Sequence, residues 1–176
     1  MKKTILLLLL AFTFACNKDD DNNSSTNPID QLPPPTQIGA NTFGCLLDGK
    51  VFKPGTGPNP LDCVYQLING EYYFSLQANK RDTENNTILI GLSTNAKQIN
   101  QNTTYALAGN IPANAYGTYA LAGIFNTTDD ANYIGEMTIT YLNNQIVSGT
   151  FWFDVLDFQG NLHEIREGRF DMQYTN

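Results

Sequence analysis

Residues 146–158 read Ile-Val-Ser-Gly-Thr-Phe-Trp-Phe-Asp-Val-Leu-Asp-Phe. Val147, Phe151, Phe153 and Val155 fall on one parity, and Ser148, Thr150, Trp152 and Asp154 on the other. That two-residue alternation is the signature of a β-strand with one face in a core. Working outward, Asn143-Asn144 precedes the stretch and Gln159-Gly160-Asn161 follows it, both turn-forming. The same reading predicts strands at 43–47, 51–53, 63–68, 72–78, 87–93, 104–108, 119–125, 135–142, 162–166 and 168–174. Asp48-Gly49 suits a type I′ hairpin between the first two, and Asn69-Gly70 marks a further turn. Residues 53–60 hold three prolines and two glycines and read as a loop. No stretch keeps a helical period. Many short strands with close turns predict an all-β fold, a single antiparallel β-sandwich or barrel-like domain over 39–176. The hexapeptide Thr-Tyr-Ala-Leu-Ala-Gly occurs at 104–109 and again at 118–123. One repeat of six residues does not make a repeat protein, so these read as two similar strand segments flanking a loop.

The N-terminus gives an address. Met1-Lys2-Lys3, an apolar run from Ile5 to Phe12 and small Ala15 form a secretory signal peptide over residues 1–15. The run is too short to span a bilayer, which takes about 20 apolar residues. Cys16 follows, and the junction resembles a bacterial lipobox, with Thr13 where that pattern favours Leu. The resemblance implies that Cys16 is lipidated and becomes the mature N-terminus. Each buried acyl CH₂ contributes about 0.8 kcal/mol, so the lipid would be the membrane contact. Lys18, Asp19, Asp20 and Asp21 resemble the export tag of surface lipoproteins in the Bacteroidota, which implies an outer-membrane address facing the cell exterior. The alternative is a solvated charge run on a domain facing the periplasm. Residues 16–38 are rich in Asn, Asp, Ser and Pro, including Pro33-Pro34-Pro35, and read as a lipidated cysteine and flexible tether.

Composition narrows the partners. Without Lys2 and Lys3 the chain keeps eight basic against 17 acidic residues, a formal net charge of −9. That balance argues against nucleic acid, whose phosphates need concentrated Lys and Arg. With Cys16 lipidated, two cysteines remain, Cys45 and Cys63. An even pair in an exported protein reads as a disulfide, closing a loop of about 17 residues for roughly 3 kcal/mol. A metal site would have only His163 to add, so no structural zinc and no cofactor is expected.

Asn41-Thr-Phe-Gly-Cys-Leu-Leu-Asp-Gly-Lys50 resembles the opening of a family of small Bacteroidota lipoprotein domains of unknown function. Val147-Ser-Gly-Thr-Phe151 and Glu167-Gly-Arg-Phe-Asp171 resemble that family's ending. The resemblance implies an all-β lipoprotein and brings no activity with it.

Signals for chemistry are thin, and no catalytic residue is assigned. His163 is the only histidine and has no nucleophile motif near it; Ser148 precedes Gly149 but follows Val147, so it forms no Gly-x-Ser-x-Gly elbow. Asp154 with Asp157, or Glu164 with Glu167, could form a glycosidase pair, but acids three apart on a strand face opposite ways. Asp129-Asp130 with Asn126 and Asn132 offer hard oxygen ligands without EF-hand spacing, and read as turn residues. Binding has better support. Trp152 lies between Thr150 and Asp154 on the wetter face and could stack on a sugar or anchor a protein. Tyr105, Tyr116 and Tyr119 surround the 110–117 loop and could do likewise. Alternatively, Trp152 joins a second apolar layer with Ile146, Leu156 and Phe158. The sequence thus points to a lipid-anchored, non-enzymatic binding or accessory module for a glycan or protein ligand. A structural envelope lipoprotein and an unrecognised hydrolase are the alternatives.

Overall fold

A type I′ turn needs two successive residues at positive φ. Asp48-Gly49 adopts 50° and 74°, and Asn69-Gly70 adopts 53° and 88°, so both predicted turns form as tight hairpins. The computed structural model describes residues 27–129 and 134–176. Its strands are β1 (Thr42–Leu47), β2 (Lys50–Phe52), β3 (Leu61–Ile68), β4 (Glu71–Arg81), β5 (Thr87–Asn95), β6 (Thr103–Leu107), β7 (Asn114–Leu121), β8 (Ile124–Thr127), β9 (Gly135–Leu142), β10 (Ile146–Leu156) and β11 (Leu162–Gln173). The protein is all-β, as its alternation predicts.

The predicted strands differ in detail at two places. The stretch 119–125 is the end of β7, a turn at Ala122-Gly123 (φ 51° and 84°) and the start of β8. Alanine seldom takes positive φ, so the sequence hides that turn. Conversely, 162–166 and 168–174 form the single strand β11, interrupted at Glu167, whose φ is 54°.

All strands join one sheet in the order β2-β1-β11-β10-β9-β6-β7-β5-β4-β3, with β8 paired to β7. Among the described strands every strand-to-strand pairing is antiparallel except the short β6–β7 contact at Leu107 and Ala115. The sheet curls into a half-barrel. Its inner face buries Phe43, Phe52, Phe74, Ile90, Phe153 and Ile165 in one continuous core. The two ends of the sheet approach each other across a seam. There Thr175 pairs parallel with Val64 of β3, and Lys80 Nζ of β4 reaches the Val51 carbonyl of β2 at 3.3 Å.

The disulfide expectation is corrected. Cys45 and Cys63 are separate buried thiols. They stand on β1 and β3, which are not paired; Cys45 faces Phe52 across the β1–β2 ladder and Cys63 faces Leu76 across β3–β4. Both lie in the apolar cluster, where cysteine behaves as a small hydrophobe. Burial pushes the Cys45 thiol up to about 12 against the opposing pull of Lys80, and raises Cys63 likewise, with Asp62 adding to it.

Part of the segment whose composition reads as a tether is packed against the sheet. Asn27 caps a 3₁₀ turn over Pro28–Gln31 through its side-chain oxygen. Leu32 is 7% exposed, and Pro33 packs directly on Gly44. Beyond it, Asp171 of β11 accepts the N–H groups of Ile38, Gly39 and Ala40 at 2.8–3.1 Å and the Thr36 hydroxyl at 2.6 Å. One buried carboxylate fastens a segment whose composition alone would leave it free.

Candidate functional site

The interruption in β11 is a β-bulge, and it builds the site. Phe151 pairs with Gly168 and Phe153 with Ile165, so Arg166 and Glu167 together oppose the one residue Trp152. A bulge bends its strand and re-aims its side chains, here at a non-glycine residue held in the left-handed region. Arg166 consequently lies over the indole, its guanidinium carbon 5.4 Å from the ring centroid. Its nitrogens are fixed by the Phe153 carbonyl at 3.1 Å, Glu164 Oε1 at 2.9 Å and Asp154 Oδ1 at 2.6 Å. The last contact is an ion pair and not an aligned hydrogen bond, for Asp154 Oδ1 has no well-directed donor among the described residues. On the other flank Trp152 faces Glu136 of β9, and its Nε1 donates to Glu136 Oε2 at 3.4 Å.

Trp152 is half-buried on the outer face of the sheet. It floors a depression of about 520 Å³ lined by Pro35, Glu136, Thr138, Thr150, Arg166 and Arg169, within the ~300–1,000 Å³ range of small-ligand sites. Thr104 and Thr138 share a hydroxyl hydrogen bond at 2.8 Å on the same ladder. An aromatic surface ringed by hydroxyls, carboxylates and guanidinium groups can stack on an apolar ring face and bond its polar rim. No second apolar layer forms around it, because Ile146 and Leu156 are half-buried and Phe158 is 59% exposed.

The tyrosines do not join this site. Tyr105 is 7% exposed, and its hydroxyl accepts the Asn100 N–H at 2.7 Å. Tyr119 is 4% exposed and stacks on His163 with centroids 4.1 Å apart. Both occupy the same place in the repeated hexapeptide, and both are core residues, which corrects their reading as ligand contacts. Tyr116 is half-buried on β7 opposite Ser93, away from Trp152 in the sheet order.

The other candidates are held within the fold. His163 lies between two carboxylates, Nδ1 2.8 Å from Asp48 and Nε2 3.5 Å from Asp157. Asp157 itself accepts hydrogen bonds from the side chain and backbone of Asn161 and from the Gln159 N–H; the Asn161 side chain above all, with these backbone bonds and His163, holds its carboxyl below the usual range against burial. Asp154 and Glu164, paired across β10 and β11, both bind Arg166, and Glu167 sits 3.7 Å from Arg169. Among the described residues no group of three or more His, Cys, Asp or Glu is placed to hold a metal ion. Asn126 and exposed Asp129 are described, whereas Asp130 and Asn132 lie outside the described residues, as do Cys16, Lys18, Asp19, Asp20 and Asp21.

No family model matches the chain, and no curated protein or solved structure matches it either. The three segments that carry the lipoprotein resemblance nevertheless meet in space. Thr42 and Phe43 pair with Asp171 and Phe170, and Ser148 donates to Asp171 at 2.8 Å. Gly149 leaves room for the Phe170 ring, and Gly168 for the Phe151 ring; a Cβ at either would come within 2.6 Å of ring carbons. These motif residues build the clamp and its packing, not a reacting centre. Sequence reasoning missed Arg166, Glu136, Thr138, Arg169 and Pro35. The only signal for them was the break at Glu167-Gly168, which reads equally as a strand end.

Proposed function

We propose that the protein is a lipid-anchored outer-membrane lipoprotein facing the cell exterior, whose domain is a non-enzymatic module binding a glycan at Trp152. The address rests on the sequence, on Cys16 after a short apolar leader and on Lys18–Asp21 just behind it. The single observation that supports binding is the bulge, which holds Arg166 over a half-buried tryptophan and leaves the adjoining depression open. A strained element that presents one aromatic on an outer face is an arrangement that stability alone does not require.

Protease shaving of intact cells tests the address. The native domain is expected to be released, and a variant with Lys18–Asp21 all alanine to be protected. Protection of both would place the domain in the periplasm. Native electrophoresis through gels containing polysaccharides tests the site: at least one polysaccharide should retard the protein, and Trp152→Ala should migrate freely. Retardation that survives the substitution would move the ligand elsewhere. A protein partner captured at Trp152 with no polysaccharide effect would replace the glycan.

A further inference from the structure

The seam of the half-barrel carries a second site, independent of Trp152. β3 is the last strand of the sheet, and its outer edge is only partly covered. Thr175 donates to the Cys63 carbonyl at 3.0 Å and accepts from the Tyr65 N–H at 2.9 Å. Those two bonds fix the parity of the edge. In an antiparallel ladder, residues that do not bond the partner strand point both backbone groups the other way. Leu61 and Cys63 therefore direct their N–H groups, and Leu61 its carbonyl, into the seam. The Pro60 carbonyl bonds Asn79 of β4 instead, in keeping with that parity. Among the described residues nothing bonds these three groups.

A groove of about 610 Å³ opens beside them. Its floor is apolar, made by Phe43, Cys63 and Met172, each no more than 3% exposed. Pro33, Pro54 and Pro60 stand on its walls. A proline has no N–H to offer the open carbonyl, so these walls narrow the groove without closing the edge. Lys53 and Asp62 also line it, one charge of each sign.

We propose that this seam binds an extended peptide segment of a partner protein. The segment would lie along β3 beyond Thr175, bonding Leu61 and Cys63 through its backbone and placing an apolar side chain on Phe43 and Met172. The occupant is a peptide because the edge presents backbone donors and an acceptor at strand spacing, which an acyl chain leaves unbonded. The protein's own chain supplies the precedent, since Thr175 already adds to this edge through an isolated parallel bridge. Residues 17–26, all polar or charged, do not suit the apolar floor.

The test is panning of a random heptapeptide phage library on the chain from Asn17 onward, followed by amide exchange with the synthetic peptides recovered. Enriched peptides should slow exchange at Leu61 and Cys63 at least tenfold and leave Glu136 and Trp152 unchanged. Leu61→Pro, which removes an edge N–H that β4 does not use, should weaken the same peptides at least tenfold. Should that variant fail to fold, Met172→Ala, which opens the floor without touching the edge, supplies the comparison through a several-fold loss. The proposal is overturned if no peptide slows those two amides, or if both variants bind undiminished. Laurate occupying the groove while the amides keep exchanging freely would also overturn it, assigning the seam to an apolar chain.

Discussion

Asp171 fastens the segment before β1 to the far end of the chain. It is 1% exposed and collects five hydrogen bonds, four of them from residues 131 to 135 positions earlier. Burial pushes its carboxyl up, but the bonds from Thr36, Ser148, Ala40 and Ile38 more than offset that and bring it down to about 2, from 3.8. A folded value below the unfolded one stabilises above pH ~4, and that contribution, roughly 2 kcal/mol, is lost as pH falls toward 2. Urea midpoints measured between pH 7 and pH 2 should fall through that window, and the fall should shrink in Asp171→Asn. A wild-type midpoint unchanged down to pH 2 would refute the clamp. Cysteine chemistry gives a second check at this scale. In the chain from Asn17 onward, a thiol reagent should find almost nothing in the folded protein and two groups after unfolding; a disulfide would yield none in either state. Asp171 stands in plain view in the sequence, but its donors are far away in the chain, so only the fold reveals its work. The cysteine pair misled for a related reason: number and compartment say nothing of which strands come to lie side by side.

At the scale of elements, β11 is where local signals and long-range pairing diverge. Glu167-Gly168 looks like a strand end, yet the ladders on both sides continue past it because Phe170 and Ile165 are each buried against their neighbours. The bulge absorbs the extra residue, and Glu167 takes φ 54°. A non-glycine residue there costs about 1 kcal/mol, so Glu167→Gly should raise the thermal midpoint by a few degrees. A lower midpoint would mean that the Glu167–Arg169 contact outweighs the strain. β10 shows the opposite case. Val147, Phe151, Phe153 and Val155 are all buried as their parity predicts, and the exception on the other parity is Ser148, buried where it bonds Asp171. Strands and I′ turns were thus readable where pattern and turn chemistry agree, whereas Ala122-Gly123 escaped notice because alanine gives no turn signal.

For the whole molecule, curling one sheet into a half-barrel leaves two different surfaces for use, the convex face at Trp152 and the seam beside β3. The N-terminal strap links them, since Pro33 lines the seam and Pro35 lines the Trp152 depression. Among the described residues the segment from Asn27 to Ala40 packs on the sheet, through the 3₁₀ turn, Leu32, Pro33 and the Asp171 hydrogen bonds, although its composition gives little sign of it. Fold class followed from periodicity, but the order of strands did not, because pairing between β1 and β11 joins the first strand to the last. Trp152 was legible as a candidate, and its partners were not, since they arrive from β9, β11 and the strap. The most direct measurement follows the emission of Trp152, the only tryptophan, while soluble oligosaccharides are titrated into the protein. The glycan-binding account predicts a saturable change with at least one of them, weakened about tenfold in Arg169→Ala. Emission that no oligosaccharide moves would contradict it.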